Sequence, residues 1–250
     1  LQARAQGQGI AFDLALSPSA RQPAATALAR LPGVTLRSAS AQGSWANGTL
    51  TLSTLRVQTT DALLQGQLTL QPAEQAGQAD LRLTSPGAEA RLRGALAPLH
   101  GTGDITLNVN DAGRVMRWAR PLLNAVSAVG GSATLAALPS IQGQAALTAS
   151  WQGGWQKADA LTVRARLEVP SLDVRPAGAT ATHTIKLRGA EVQANGQLSA
   201  MALTARGQVD TQGHRLALQA QASGGRSATD TWSAQLGQLQ AQGSLAGRTG

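Results

Sequence analysis

Residues 62–71 read ALLQGQLTLQ. From Leu64 onward Leu64, Gly66, Leu68 and Leu70 alternate strictly with Gln65, Gln67, Thr69 and Gln71. A side-chain period of two marks a strand with one apolar and one wet face. The phrase recurs in variants along nearly the whole chain, as ARLRGALAPL, SIQGQAALTASW, VQANGQLSA, LTARGQVD and LQAQGSLAG. It predicts strands over 10–16, 34–41, 48–58, 63–70, 79–84, 88–96, 103–110, 141–151, 160–169, 182–189, 191–198, 202–209, 215–222 and 232–245. Inside 48–58, Leu50 and Leu52 share one phase while Leu55 and Val57 take the other, so a bulge or bend is expected at Ser53-Thr54.

Turn residues fall at short intervals: Gly153-Gly154, Pro176, Asn195-Gly196 and Gln212-Gly213. Asn47-Gly48-Thr49 has the form of a glycosylation acceptor, but Asn-Gly between two strand runs is read as a hairpin turn. Such intervals leave no room for crossover helices, which predicts an all-β, sequential antiparallel meander. Glycines repeated in mid-strand let a sheet curl across its width.

Two segments break the rhythm. Residues 18–31 are Ala-rich, with Pro23 suited to a first helical position and Pro32-Gly33 as a stop, which predicts a short helix. In 111–129, Val115, Trp118, Ala119, Leu122, Val126 and Val129 follow helical spacing opposite Arg117, Arg120 and Asn124. Asn110 or Asp111 would cap this helix, and Pro121 predicts a kink or break. The favoured role packs Trp118, Leu122 and Val126 on the sheet. The alternative is a basic lid or membrane-surface element flanked by Arg114, Arg117 and Arg120.

Composition sharpens the question of what covers the apolar face. The 250 residues hold five Trp, one Phe and no Tyr, so Leu, Val, Ile and Ala must supply any buried area. The net charge of +8 comes from arginines scattered singly along polar strand faces. Without stacking aromatics or a helical reader motif, nucleic acid is excluded as the expected partner. There is no cysteine, hence no disulfide or thiolate metal site, and no run approaches the ~20 apolar residues of a membrane span. The chain opens and closes in mid-pattern without a signal peptide, as a middle section of a longer protein would.

Chemistry-bearing constellations are missing. His100, His183 and His214 lie far apart with no HExxH, and the thirteen acids are dispersed. There is no GxSxG elbow or Walker A loop, and Gly7-Gln8-Gly9 leads into a strand rather than a helix. No enzyme, metal or cofactor is expected. About a dozen one-sided strands with two short helices leave two solutions. Either the sheet closes on itself as a sandwich or barrel, or it curls into a trough that holds something apolar other than protein.

The phrases LLQGQLTLQP, ARLRGALAPL and LQAQGSLAG, the aromatic-led TWSAQLGQLQAQGSLAG at 231–247 and the insert NDAGRVMRWARPLLNAV resemble the TamB family. These are the inner-membrane subunits of the translocation and assembly module of diderm bacteria, related to AsmA-like proteins. The resemblance spans nearly all 250 residues as one continuous segment. It implies a taco-like β-trough that spans the periplasm, tethered to the inner membrane by an N-terminal helix absent from this sequence. Such a trough would carry phospholipid toward the outer membrane. It further implies a role in outer-membrane protein and autotransporter assembly with the barrel partner TamA, met through a part of the chain not present here.

Acyl chains suit such a trough, since an aliphatic wall gains about 25 cal/mol per Å² covered and needs no directional bonds. The expected wall runs through Leu64, Leu68 and Leu70, then Leu81, Leu83, Leu92 and Leu96, then Ile105, Leu107 and Val109. It continues through Ile141, Leu147, Leu161, Val163, Leu167, Ile185, Leu187, Val192, Leu198, Leu203, Leu216 and Leu218. Two rivals remain: a module that receives unfolded outer-membrane strands by β-augmentation, and a solid structural or adhesive fibre.

Overall fold

The computed structural model describes residues 2–6, 9–16, 30–31, 34–130, 139–176, 184–211, 214–227 and 231–245. Alternating sequence becomes alternating strand. The strands are β1 (Gln2–Gln6), β2 (Gly9–Leu16), β3 (Arg30–Leu31), β4 (Val34–Ala46), β5 (Thr49–Thr59), β6 (Leu63–Gln71), β7 (Ala76–Ser85), β8 (Ala88–Leu96) and β9 (Gly101–Val109). After a helix, α1 (Ala112–Gly130), come β10 (Ser140–Gln152), β11 (Thr162–Arg175), β12 (Ile185–Gln197), β13 (Ala200–Thr211), β14 (His214–Arg226) and β15 (Trp232–Leu245). They form one 15-stranded sheet in which every strand pairs antiparallel with its sequence neighbour, except that β3 lies off the path on β4. The ends do not meet, so the meander is open and is not a barrel.

The expected bulge is present. Gln42 pairs with Thr54 and Gly43 with Leu52, leaving Ser53 unpaired with its hydroxyl 3.2 Å from the Gln42 carbonyl. Asn47 and Gly48 both take positive φ, 49° and 73°, as a tight hairpin turn requires.

Several expectations need correction. Spans 182–189 and 191–198 are one strand, β12, bulged at Gly189, whose φ of +54° favours glycine. Asn195-Gly196 therefore lies inside β12, and the turn falls at residues 198–199. The strand expected at 160–169 continues through Pro170 to Arg175, because Pro170 sits at a register slip where its missing N–H costs no ladder bond. The helix expected at 18–31 lies outside the described residues except for Arg30–Leu31, which pair with Thr35 and Val34 as strand. Turn 212–213 and His183 also lie outside them. Strand β1, unforeseen, pairs along its length with β2.

Helix α1 starts where Asp111 caps it, its Oδ1 accepting from the Arg114 N–H at 2.9 Å. The Asn110 and Asp111 N–H groups both donate to the Gly87 carbonyl, at 2.9 and 3.1 Å, fixing the helix start to the β7–β8 turn. The helix runs through Pro121 to Gly130 without a break. Ala112 and Gly113 are buried, Val115, Met116, Trp118 and Ala119 half-buried, and Arg114, Arg117 and Arg120 exposed. It touches β10 and also β3, so it bridges two parts of the sheet separated by β4–β9. Among the described residues no helix is long and apolar enough to cross a membrane.

Candidate functional site

Because directly paired residues share a face, the register can be followed from strand to strand. Starting on β2, one row reads Leu16, Ala39, Val57, Leu64, Leu83, Ala90, Leu107, Leu147, Leu167, Val192, Ala205, Ala220 and Leu239. A second reads Leu14, Ala41, Leu55, Gly66, Leu81, Leu92, Ile105, Ala149, Ala165, Ala194, Leu203, Ala222 and Leu236. The third reads Phe12, Gly43, Leu52, Leu68, Ala79, Gly94, Gly103, Trp151, Val163, Gly196, Met201, Gly224 and Ala234. Each row crosses thirteen strands without one polar side chain. The bulges preserve this, since each slip of one residue would otherwise turn the rest of its strand over.

The other face is its complement. Ser40, Arg56, Gln65, Arg82, Arg91, Thr106, Thr148, Arg166, Gln193, Thr204, Gln221 and Gln238 make a wholly polar row. Its charges pair across strands, as in Arg82–Glu89 and Arg91–Asp80 at 3.3 Å and Arg188–Asp173 at 2.7 Å. Glu191, only 7 % exposed, is the hub: it accepts from Gln193 at 2.6 Å and Arg206 Nε at 2.8 Å and lies 2.7 Å from Arg166 Nε. The Gln193 and Arg206 hydrogen bonds, with the two guanidinium charges, outweigh burial and hold its carboxyl below the usual glutamate range.

The apolar face is not a closed core. Among the described residues no side chain is fully buried, and only Ala88, Ala97, Ala112, Leu161 and Val169 count as buried apolar residues. Large apolar groups stand open instead: Ile105 is 36 % exposed, Val192 37 %, Leu236 60 % and Leu239 61 %. Among the described residues the main strand–strand contacts run between ladder neighbours, so no second sheet lies on the face.

The expected wall residues from Leu64 to Leu218 are placed as follows. Those in the three rows share one face. Leu70 joins Leu50 and Leu96 through Gly77 at one end of the strands. At the other end Val109 faces Ala88 and Ala145, Leu187 faces Leu172 and Val209, and Leu216 in turn faces Val209. Ile141 and Ile185 both pair with Val174, and Leu218 pairs with Gly207. Leu161 and Leu198 are not on strands. They meet at the turns, where the Leu198 N–H donates to the Leu161 carbonyl at 2.7 Å.

Sequence reasoning left out Leu50, Leu52, Leu55 and Val57 of β5, Leu172 and Val174 beyond the Pro170 slip, and Leu236 and Leu239 of β15. The first and last sets carry the same alternation and were there to be read. On sequence alone Trp151 and Trp155 read as wall residues rather than a recognition box, with nothing to say how Trp151 sits. The indole lies across the β9 and β8 backbones on Gly103 and Gly94, its Nε1 donating to the Ala95 carbonyl at 3.1 Å. Around it Leu68, Leu70, Leu92, Leu96, Ile105, Trp151 and Trp155 enclose an open cavity of about 740 Å³.

His100 is exposed in the β8–β9 turn and His214 exposed at the start of β14. Among the described residues no cluster of His, Cys, Asp and Glu could hold a metal. The chain matches no family model, no curated protein and no solved structure.

Proposed function

We propose that this chain is a section of a lipid-transfer conduit of the TamB type. In this reading, phospholipid acyl chains slide along the apolar face while headgroups ride in water at its margin, between the inner and outer membranes of a diderm bacterium. The observation that carries it is the three apolar rows that cross thirteen strands with no second sheet over them among the described residues. A face of that extent exceeds what soluble monomers leave to water and calls for an occupant. Hydrocarbon fits, because the rows present no free side-chain donor or acceptor, the Trp151 indole N–H being spent on the Ala95 carbonyl, so anything with many polar groups would lose its hydrogen bonds there. The mechanism is passive and needs no catalytic group or cofactor. Its setting is the periplasm, with an inner-membrane tether and the contact to a separate barrel partner, TamA, in other parts of a longer protein.

Photo-crosslinking tests it residue by residue. A photoreactive side chain at Leu147, in the middle of the first row, should capture phospholipid in cells, and one at Thr148, its neighbour on the polar face, should not. Equal capture at both positions, or none at Leu147, would refute the conduit.

A second reading has one observation of its own. Strand β15 carries no charge and no proline, and Trp232, Leu236 and Leu239 are 67, 60 and 61 % exposed. A strand with no charge or proline to guard it can pair with another strand. A module that receives unfolded outer-membrane strands would use it. Cysteines placed along β15 should then form disulfides with cysteine-bearing client strands in a fixed register.

A further inference from the structure

The apolar face is not uniform along its length. Where β7 and β8 cross the third row and the turn-side margin, the floor drops to Ala76, Gly77, Ala79 and Gly94. Leu68 and Leu70 stand on one side of this pit and Trp151 and Trp155 on the other. Two features hold the far wall still. The Trp151 ring is seated on two glycines, where a methyl group on Gly103 would stand 2.2 Å from its Cζ2. The loop behind it is tied to the β8–β9 turn, with the Gly153 N–H on Gly101 at 2.8 Å, Trp155 on Ala97 at 3.3 Å and Gln156 on Pro98 at 3.0 Å.

We infer that this pit is a resting station for one acyl chain of a passing phospholipid, with Trp151 as its fixed wall; this inference rests on the conduit proposed above. Its volume of about 740 Å³ falls in the roughly 300–1,000 Å³ range of ligand pockets. The chemistry selects hydrocarbon. The lining is mostly apolar: Gln71, Gln75 and Gln78 contribute to it but no charged residue does, and the Trp151 indole N–H is already satisfied by the Ala95 carbonyl. A peptide strand would bring more backbone donors and acceptors than the lining glutamines can meet, whereas an acyl chain brings none. The cavities on the polar face, lined by Glu191 and Arg206 or by Asp104, Arg164 and Arg166, offer the opposite chemistry. A chain that drops into the pit must climb out past Leu92 and Ile105, so lipid should dwell here longer than elsewhere on the face.

The test uses tryptophan emission with a phosphatidylcholine carrying bromine on its acyl chain, a contact quencher. One protein keeps Trp151 alone, with Trp45, Trp118, Trp155 and Trp232 changed to Phe. A second keeps Trp232 alone, on the same face in β15. Strong quenching of Trp151 and weak quenching of Trp232 is the expected result. Gly77→Leu should then abolish the Trp151 quenching without unfolding the sheet. Gly77 has an ordinary φ, and an added Cβ meets only the tip of Leu70 at 3.2 Å and the Thr69 oxygen at 3.5 Å. Equal quenching of both tryptophans, or quenching that survives in folded Gly77→Leu, overturns the station while leaving the conduit in place. Lipid extracted from the protein with Trp151 unquenched does the same. No quenching at either tryptophan and no extractable lipid overturns both.

Discussion

A methyl group on Gly66 would stand 1.9 Å from the Asp80 carbonyl oxygen across the strand, and the φ of +149° already disfavours any side chain. The glycine that punctuates QGQ is there because the neighbouring backbone occupies the space of a Cβ. Gly66→Ala should therefore destabilise the sheet by about 1–3 kcal/mol, read as a lower urea midpoint at unchanged slope. On the polar face the Glu191 carboxyl, held below its unfolded titration range, contributes stability above that range and loses it as pH falls through the lower folded range. Glu191→Gln should be less stable than the parent at neutral pH, with the gap closing on acidification; urea melts across an acid series read this directly. A gap that stays constant with pH would mean the ion-pair hub does not control acid stability.

At the scale of elements, α1 depends on a single cap. Asp111→Ala removes the acceptor for the Arg114 N–H and the 3.1 Å Arg114 ion pair, at a cost of about 1 kcal/mol. Hydrogen exchange should quicken in the first turn of the helix while β9 and β10 keep their protection. Elements are also where the sequence was most and least legible. Period-two alternation located the strands, and the phase change from Leu52 to Leu55 located the Ser53 bulge, because both sides of that slip carry leucines. At Pro170 and Gly189 the same device went unread, since proline and glycine more often end strands than bend them. Asn195-Gly196 misled for the same reason: its turn chemistry is genuine, but β11 and β13 pair on either side and keep it extended. The QARAQ of β1 has too little apolar contrast to declare a face.

For the whole molecule, the one-sidedness of the sheet was legible and its completeness was not. Leucines such as Leu64, Leu83, Leu107 and Leu147 mark the wall, but Ala90, Ala205 and Ala220 belong to the same row only through cross-strand register. The pit at Trp151 depends on which glycines pair, Gly94 with Gly103 and Gly103 with Trp151, and no single strand carries that information. The central claim is that the apolar face is a wall for lipid rather than half of a protein core, and Leu147→Arg separates the two. Fully burying a leucine contributes about 1.5–3 kcal/mol, and Leu147 is half-buried on a face with no second sheet over it among the described residues, so the variant should stay folded with a loss of about 1 kcal/mol. The most direct test is mass spectrometry of organic extracts from the gently purified protein beside folded Leu147→Arg. Phospholipid bound to the parent and lost from the variant is the result expected. No lipid in either, or a variant that cannot fold, would contradict the account and make the face part of a closed protein core.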